Sequence, residues 1–194
     1  MRYIITILIF FLISCNHDTG HFRVVSLGFN EKELMTIYSE AKLWQSGCSK
    51  IEFEFVDNDA NVKIIKSDTL GYSGGLTDIE TKTIILSDPT MRCCLHELGH
   101  ILGLEHEFQR VDRDLYVHVD ISGLSKEDAI QFIYLKSDLY DMTELPYDYK
   151  SIMHYKSDDY DEGVLTSDHE IGGDMITLSD LEKVNRIYDK KQYE

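Results

Sequence analysis

The spacing of three histidines constrains this chain more than any other feature of its sequence. His96, Glu97 and His100 fall within five residues, and Gly103 and His106 follow at intervals of three, which completes the pattern H-E-x-x-H-x-x-G-x-x-H. Residues four positions apart on an α-helix point to nearly the same side, so His96 and His100 would face one point in space. Gly103 can end that helix and let His106 approach the same point from another direction. The pattern therefore predicts a helix that ends beside a metal ion.

Three histidine ligands predict one Zn²⁺ per chain. A structural zinc site normally has four protein ligands, whereas a three-histidine site leaves a position for water and is typical of catalysis. Glu97, one residue after the first ligand, would flank that water and accept its proton as the general base. The predicted reaction is hydrolysis of peptide bonds by zinc-activated water. The alternative is a solvent-exposed helix whose histidines have this spacing by chance.

Two longer segments resemble the astacin family of metzincin zinc metalloendopeptidases. Residues 106–114 read H-E-x-x-R-x-D-R-D, and residues 146–155 read P-Y-D-Y-K-S-I-M-H-Y, which is similar to the Met-turn segment of that family. Weaker similarity extends the resemblance over about residues 21–190. It implies an α+β fold of two subdomains. A twisted sheet with an antiparallel edge and the active-site helix would lie above, and a loop-rich part with a C-terminal helix below.

The resemblance also implies roles for individual residues. The three histidines would be the zinc ligands and Glu97 the general base. Met153 would form an apolar floor beneath the metal. Tyr155 would be a fifth ligand at rest, and on substrate binding its hydroxyl would stabilise the tetrahedral intermediate.

The first fifteen residues resemble a bacterial lipoprotein signal peptide. Arg2 precedes an uncharged stretch from Tyr3 to Ser14, which is too short to span a membrane but long enough for the apolar core of a signal peptide. The stretch ends in Leu-Ile-Ser-Cys, so cleavage before Cys15 and lipidation of its thiol are expected. The alternatives are an ordinary secretory signal and a short uncleaved anchor.

Three segments are therefore expected along the chain: a signal peptide at 1–14, a short tether at 15–20 and a catalytic domain at 21–194. The protein is predicted to be exported. We expect it to be lipid-anchored to a bacterial cell membrane or outer membrane, and otherwise secreted.

The glutamate after the third histidine carries a further implication. Family members hold their mature N-terminal amine with this residue, so Glu107 is a candidate for anchoring the N-terminus. A lipidated Cys15 could not donate that amine, and we expect the short tether to leave no room for the prosegment that usually blocks the zinc of family members.

The family often prefers an acidic residue after the scissile bond, and Lys150 and Lys156 are equal candidates for binding it.

The charge of the chain limits its partners. Lys and Arg number 19 against 35 Asp and Glu, which gives a formal net charge of −16. This excess argues against nucleic-acid binding and against electrostatic docking to anionic lipid. We expect a protein or peptide substrate, a monomer, and membrane contact only through a lipid anchor. The acidic run at 158–162 is expected to be a solvated loop, with calcium binding as the alternative.

Three cysteines remain besides the Cys15 that is expected to be lipidated. Adjacent cysteines rarely bond to each other, so a disulfide from Cys48 to either Cys93 or Cys94 is expected, and the sequence does not decide between them. No C-x-x-C spacing occurs, which disfavours cysteine ligands for zinc. The two disulfides of the resembling family are not reproduced, because no cysteine follows residue 94.

Hydrophobic periodicity and capping patterns predict an α+β domain. The predicted strands are 22–29, 51–55, 62–65 and 83–86, with a loop at 71–75. The predicted helices are 31–47 after an Asn30 cap, 90–102, 125–135, and 179–188 with Ser179 and Glu182 as a capping box.

Two other functions share parts of this pattern. A catalytically inactive cell-surface binding lipoprotein could retain a structural zinc site, although such a site does not need Glu97. A zinc hydrolase of non-peptide amides would use the same chemistry in a cleft of different shape.

Overall fold

A five-stranded sheet forms the centre of the upper subdomain. The computed structural model describes residues 20–68, 74–134, 142–157, 159 and 163–190. The strands are β1 (His21–Leu27), β2 (Glu52–Phe55), β3 (Val62–Lys66), β4 (Gly75–Asp78) and β5 (Thr83–Leu86), in the spatial order β2-β1-β3-β5-β4. β1 pairs in parallel with β2 and β3, β3 pairs in parallel with β5, and β4 pairs antiparallel with β5. The predicted α+β fold with an antiparallel edge is confirmed.

The strand predictions differ from the structure mainly at the sheet edge. The four predicted strands are present, although β1 ends two residues early. The predicted loop at 71–75 is wrong at its end, because β4 begins at Gly75, while residues 71–73 lie outside the described residues. Leu76 is the one large apolar residue of β4 and pairs with Ile85. Hydrogen bonds to β5 therefore define this strand, and its own sequence has no strand pattern.

Two helices pack together beside the sheet. Helix α1 (Glu31–Gly47) starts with the predicted capping box, in which Asn30 and Glu33 each accept from the other's backbone amide at 3.1 and 2.8 Å. Helix α2 (Met91–Ile101) confirms the prediction at 90–102. The buried Trp44 indole of α1 donates to the Leu95 carbonyl of α2 at 3.0 Å, which joins the two helices.

The buried apolar side chains form two clusters. The larger, here called the sheet core, contains residues of the sheet, α1 and α2, with further residues of the C-terminal helix. The smaller, here called the lower core, consists of Phe108, Val117, Phe132, Tyr147, Val164, Leu165 and Ile171. Beside the lower core, β6 (His118–Val119) and β7 (Leu165–Thr166) pair as a short antiparallel ribbon.

The predicted helix at 125–135 is wrong in length. Helix α3 covers only Lys126–Ala129 and continues as a single 3-10 turn at Ile130–Phe132. The Gln109 side chain donates to the Gln131 carbonyl at 2.9 Å, and a longer helix would bond that carbonyl to residue 135. Tertiary hydrogen bonds therefore compete with helix extension here.

The C-terminal helix α4 (Leu178–Lys190) begins before its predicted cap. Thr177 Oγ1 accepts from the Asp180 amide at 3.1 Å, and Asp180 accepts from the Thr177 amide at 3.0 Å. The prediction that Ser179 and Glu182 form the capping box is therefore wrong by two residues. Both pairs have the same spacing, and the burial of Asp180 selects the earlier one.

The predicted disulfide is absent. Cys48, Cys93 and Cys94 are free thiols. Cys48 Sγ lies 3.6 Å from the Leu181 carbonyl of α4, whereas the other two cysteines belong to α2. Burial raises the pKa of Cys48 to about 11.

Among the helices that the structure describes, none has the length and apolar composition needed to cross a bilayer.

Candidate metal centre

One face of α2 supplies two of the three histidines. Thr90 caps the helix by accepting from the Cys93 amide, and residues 94–99 are buried. His96 and His100 turn toward a common point, with ring centroids 4.9 Å apart. The helix therefore positions both rings as their spacing predicts.

Gly103 ends α2 and redirects the chain toward His106. Its φ of +95° lies in the left-handed region that glycine adopts without strain. Its amide donates to the His100 carbonyl at 2.9 Å. After this turn, His106 Nε2 lies 3.1 Å from His96 Nε2. Two nitrogens bound to one tetrahedral zinc at about 2.0–2.1 Å are about 3.3 Å apart, so this spacing fits the ion.

The three histidines together offer a convergent ligand set. One nitrogen of each ring lies within 4.8 Å of the others. Each Nδ1 bonds to an oxygen that can only accept, so it carries the hydrogen and leaves the Nε2 lone pair available. The three Nδ1–oxygen pairs are His96 to the Ile152 carbonyl at 2.9 Å, His100 to the Leu104 carbonyl at 2.8 Å, and His106 to Gln109 Oε1 at 3.1 Å.

Burial keeps these imidazoles neutral. Desolvation lowers the pKa of His96 to about 3 and that of His100 to about 4, and it lowers the pKa of His106 well below its ordinary value. Metal binding requires neutral imidazole. The geometry, the tautomers and the charge state of the three histidines all fit a zinc ion.

Glu97 is buried beside the histidines and contacts the edge strand. Thr77 Oγ1 of β4 donates to Glu97 Oε2 at 2.6 Å. A Cβ atom added to Gly75 would lie 2.5 Å from Glu97 Cγ, so only glycine allows the strand to approach this closely. Desolvation raises the pKa of Glu97 to about 7, against the lowering effect of the Thr77 hydrogen bond. A carboxyl group with that pKa can accept and release a proton near neutral pH.

Met153 and Tyr155 both adjoin the elements that carry the histidines. Met153 is buried, and its Sδ would lie 2.5 Å from a Cβ added to Gly99, so it packs directly against α2. The Tyr155 ring is 4.5 Å from the His106 ring between centroids. Its hydroxyl donates to Gln131 Oε1 at 3.1 Å.

Glu107 is fully buried behind His106. Its Oε1 accepts from Arg110 at 3.1 Å and from the Asp148 amide at 2.9 Å, and its Oε2 accepts from the Lys183 ammonium. The N-terminal segment that would supply an amine to Glu107, including Cys15, lies outside the described residues.

The two lysines considered for an acidic substrate residue are each paired. Lys156 Nζ lies 2.7 Å from Asp174, and Lys150 Nζ lies 2.8 Å from Glu170. Neither lysine therefore presents an uncompensated positive charge.

Sequence reasoning missed the side chains that hold the site from outside. No sequence pattern marks Thr77 or Lys183 as a site residue, because strand β4 and the inner face of α4 become apparent only in the folded structure. Gln109 has a weak signal, since it follows His106 at the spacing of a capping box. Gln131 belonged to a segment predicted as continuous helix.

Comparison with known proteins gives a consistent family. The sequence model of the Astacin peptidase family matches residues 28–189. The zinc metalloproteinase dpy-31 of Haemonchus contortus is 37% identical over 103 residues, which cover 48% of this chain and 19% of that protein. The zinc metalloproteinase nas-12 of Caenorhabditis elegans is 25% identical over 180 residues, which cover 84% and 46%. The matched region thus spans less than half the length of these curated relatives.

Solved structures share the fold. High choriolytic enzyme 1, a hatching enzyme zinc-protease from Oryzias latipes (Medaka fish), superposes with a TM-score of 0.69 at 23% identity, covering 87% of this chain and 89% of that one. Myroilysin superposes with a TM-score of 0.66 at 20% identity, covering 88% and 93%. The family match over most of the chain, together with the histidine geometry, leads to one conclusion: this chain belongs to the astacin family of peptidases.

Proposed function

We propose that the protein is a zinc-dependent endopeptidase that hydrolyses internal bonds of proteins or peptides. The observation that carries this proposal is the convergence of three neutral histidine nitrogens beside a buried glutamate, in a chain of the astacin family. His96, His100 and His106 hold one zinc ion. When bound, zinc polarises a substrate carbonyl and lowers the pKa of a coordinated water to about 7.

Glu97 is the general base of the proposed reaction. Its carboxylate takes a proton from the attacking water and then passes that proton to the nitrogen of the leaving amine, so its own charge is restored in each cycle. Thr77 orients the carboxylate through the 2.6 Å hydrogen bond.

Tyr155 is the proposed donor to the oxyanion. Its ring packs against His106, and rotation of the side chain would carry the hydroxyl from Gln131 toward the metal site. There the hydroxyl would be able to contact a bound metal before substrate enters, as the resemblance implies, and to donate to the developing negative oxygen of the substrate. Met153 supports the site from below as its apolar floor.

Strand β4 is the proposed docking edge for the substrate. It is one of the two edge strands of the described sheet, and Gly75 at its start adjoins Glu97. An extended peptide can add to such an edge through backbone hydrogen bonds. This arrangement would place a scissile bond near the general base, and it favours peptides over other amides.

The proposal includes export of the protein. The sequence of residues 1–15 supports a signal peptide followed by a lipidated Cys15, and mass spectrometry of the membrane-extracted protein tests this. An unmodified cysteine, or an N-terminus further along the chain, would contradict lipidation without affecting the catalytic proposal.

The test of the catalytic proposal uses the full chain purified in detergent. Bound zinc is measured by elemental analysis, and cleavage of an unfolded protein is compared between the wild type, Glu97→Ala and an exposed-carboxylate control, Glu80→Ala. We expect one zinc per chain in all three. Glu97→Ala should lower the cleavage rate by about 10²- to 10⁴-fold, and Glu80→Ala should not change it. One equivalent of zinc without Glu97-dependent cleavage would instead support the inactive binding protein.

A further inference from the structure

Helix α4 carries two buried charged side chains one turn apart. Asp180 and Lys183 are both less than 2% exposed. Asp180 accepts from Ser151 Oγ at 2.6 Å and from the Ile152 amide at 3.1 Å. Lys183 donates to Glu107. Charged groups are rarely buried unless they are paired, so this face of α4 is adapted to the segments that carry the site.

The carboxylates of Glu107 and Asp112 are balanced only if the positive charge of Lys183 is counted together with that of Arg110. Arg110 also contacts Glu107, but its Nε and Nη2 atoms form two 2.9 Å hydrogen bonds with the two oxygens of Asp112. This fork-shaped pairing assigns the Arg110 charge chiefly to Asp112. Lys183 is then the cation that balances the buried carboxylate of Glu107. A buried carboxylate that loses its counter-charge is strongly destabilising.

Glu107 is connected to the metal site through the backbone. It directly follows His106, and its amide donates to the Met153 carbonyl at 3.0 Å. Its carboxylate also fixes the Asp148 amide at the start of the Met-turn segment. A displacement of Glu107 would therefore move the third histidine and the floor of the site together.

We propose that Lys183 is a positioning residue of the metal site. Lys183 belongs to the domain itself, and it supplies the positive charge that the buried carboxylate of Glu107 requires. The inference rests on the proposed function for its catalytic meaning. It implies that zinc binding does not depend on an N-terminal amine, and hence not on how the chain upstream of the domain is processed.

The experiment measures zinc affinity of the full chain by competition with a chelator. The variants are Lys183→Met, Glu107→Gln, the double variant, and Arg186→Met as a control on the solvent-facing side of α4. We expect Lys183→Met to weaken zinc binding roughly 10- to 100-fold, as loss of outer-shell support does, and to shift the visible absorption of the cobalt-substituted protein. Arg186→Met should change neither quantity. The double variant should bind zinc more tightly than Lys183→Met, because it removes the unpaired charge.

Several outcomes would overturn the proposal. One is that Lys183→Met keeps the zinc affinity and the cobalt absorption of the wild type. Another is that the double variant loses as much zinc-binding free energy as the two single variants lose together. If Lys183→Met does not fold, the double variant alone decides: near wild-type affinity supports the proposal, and a loss of about 100-fold contradicts it. Removal of the N-terminal amine by transamination should change the zinc Kd less than twofold, and a tenfold change would contradict it. Because zinc affinity is read without substrate, a failure to cleave peptides would overturn only the proposed function.

Discussion

The parts of the chain before and after Leu104 support the histidines in different ways. Among the described residues, three buried polar or charged side chains lie before Leu104 and eight lie after it. The first part presents His96 and His100 from a helix packed in the sheet core. The second part holds His106 and Met153 through the polar side chains of Glu107, Lys183 and Asp180. Apolar packing thus supports one side of the site, and a polar network supports the other.

The two kinds of support differ in how well they tolerate amino-acid substitution. Apolar packing is non-directional, and such cores accept substitutions that keep volume and pattern. A buried hydrogen-bond network requires every partner, because a donor left without an acceptor loses its hydration and gains nothing. We therefore expect the part after Leu104 to be far more sensitive to single polar changes.

The largest expected effect is that of Asp180→Ala. The substitution leaves the Ser151 hydroxyl and the Ile152 and Thr177 amides without their acceptor, and should lower the free energy of unfolding by about 3 kcal/mol. Urea unfolding measures the loss. Asp189→Ala, at an exposed position of the same helix, removes only a surface ion pair with Lys50 and should change it by less than about 1 kcal/mol.

A matched change in the sheet core sharpens the comparison. Ile64→Val removes one buried methyl group and should cost about 0.5–1.5 kcal/mol. If Asp180→Ala proved no more costly than Ile64→Val, the contrast between the two parts of the chain would be wrong.

Gly75→Ala should separate activity from stability. The added Cβ would lie 2.5 Å from Glu97 Cγ and 2.7 Å from its Oε1, so the proposed general base must shift. Displacement of a catalytic group by about 1 Å can lower rates about 100-fold, and we expect a 10- to 100-fold loss of kcat/KM with bound zinc retained. Gly123→Ala, where an added Cβ meets nothing within 4 Å, is the control. Unchanged cleavage by Gly75→Ala would argue against a close approach of β4 to Glu97.

Glu40→Gln tests the exception within the sheet core. Glu40 is buried, its Oε2 has no hydrogen-bond partner, and desolvation raises its pKa above the ordinary 4.5. The folded state therefore binds this proton more tightly than the unfolded chain, and the wild type loses stability as pH rises from 4.5 through the folded pKa. Glutamine does not titrate, so the variant should be more stable by about 1 kcal/mol at pH 8 and show little difference at pH 4.

Thermal unfolding across that pH range measures the effect, with Glu31→Gln at the exposed start of α1 as control. A stability difference that is the same at pH 4 and pH 8 would show that Glu40 does not titrate differently in the folded state.

The local patterns of the sequence predicted the first half of the fold well. The Asn30 capping box, the alternation in β2 and the helix at 90–102 depend on neighbours within a few residues, and all appear in the structure. The failures were β4, the length of α3 and the cap of α4. Each of these depends on hydrogen bonds to residues distant in sequence, which no local pattern reports.

The sequence by itself determined the candidate metal centre: which histidines converge, which glutamate adjoins them and which glycine turns the chain. Helical geometry is local, so a spacing of four residues already specifies a direction in space. Only the tertiary structure decided what holds these groups in place. It brought Thr77 to Glu97 and Lys183 to Glu107 across separations of 20 and 76 residues. Such partners are selected by burial, because a charge or hydroxyl removed from water must find its complement wherever the fold supplies one.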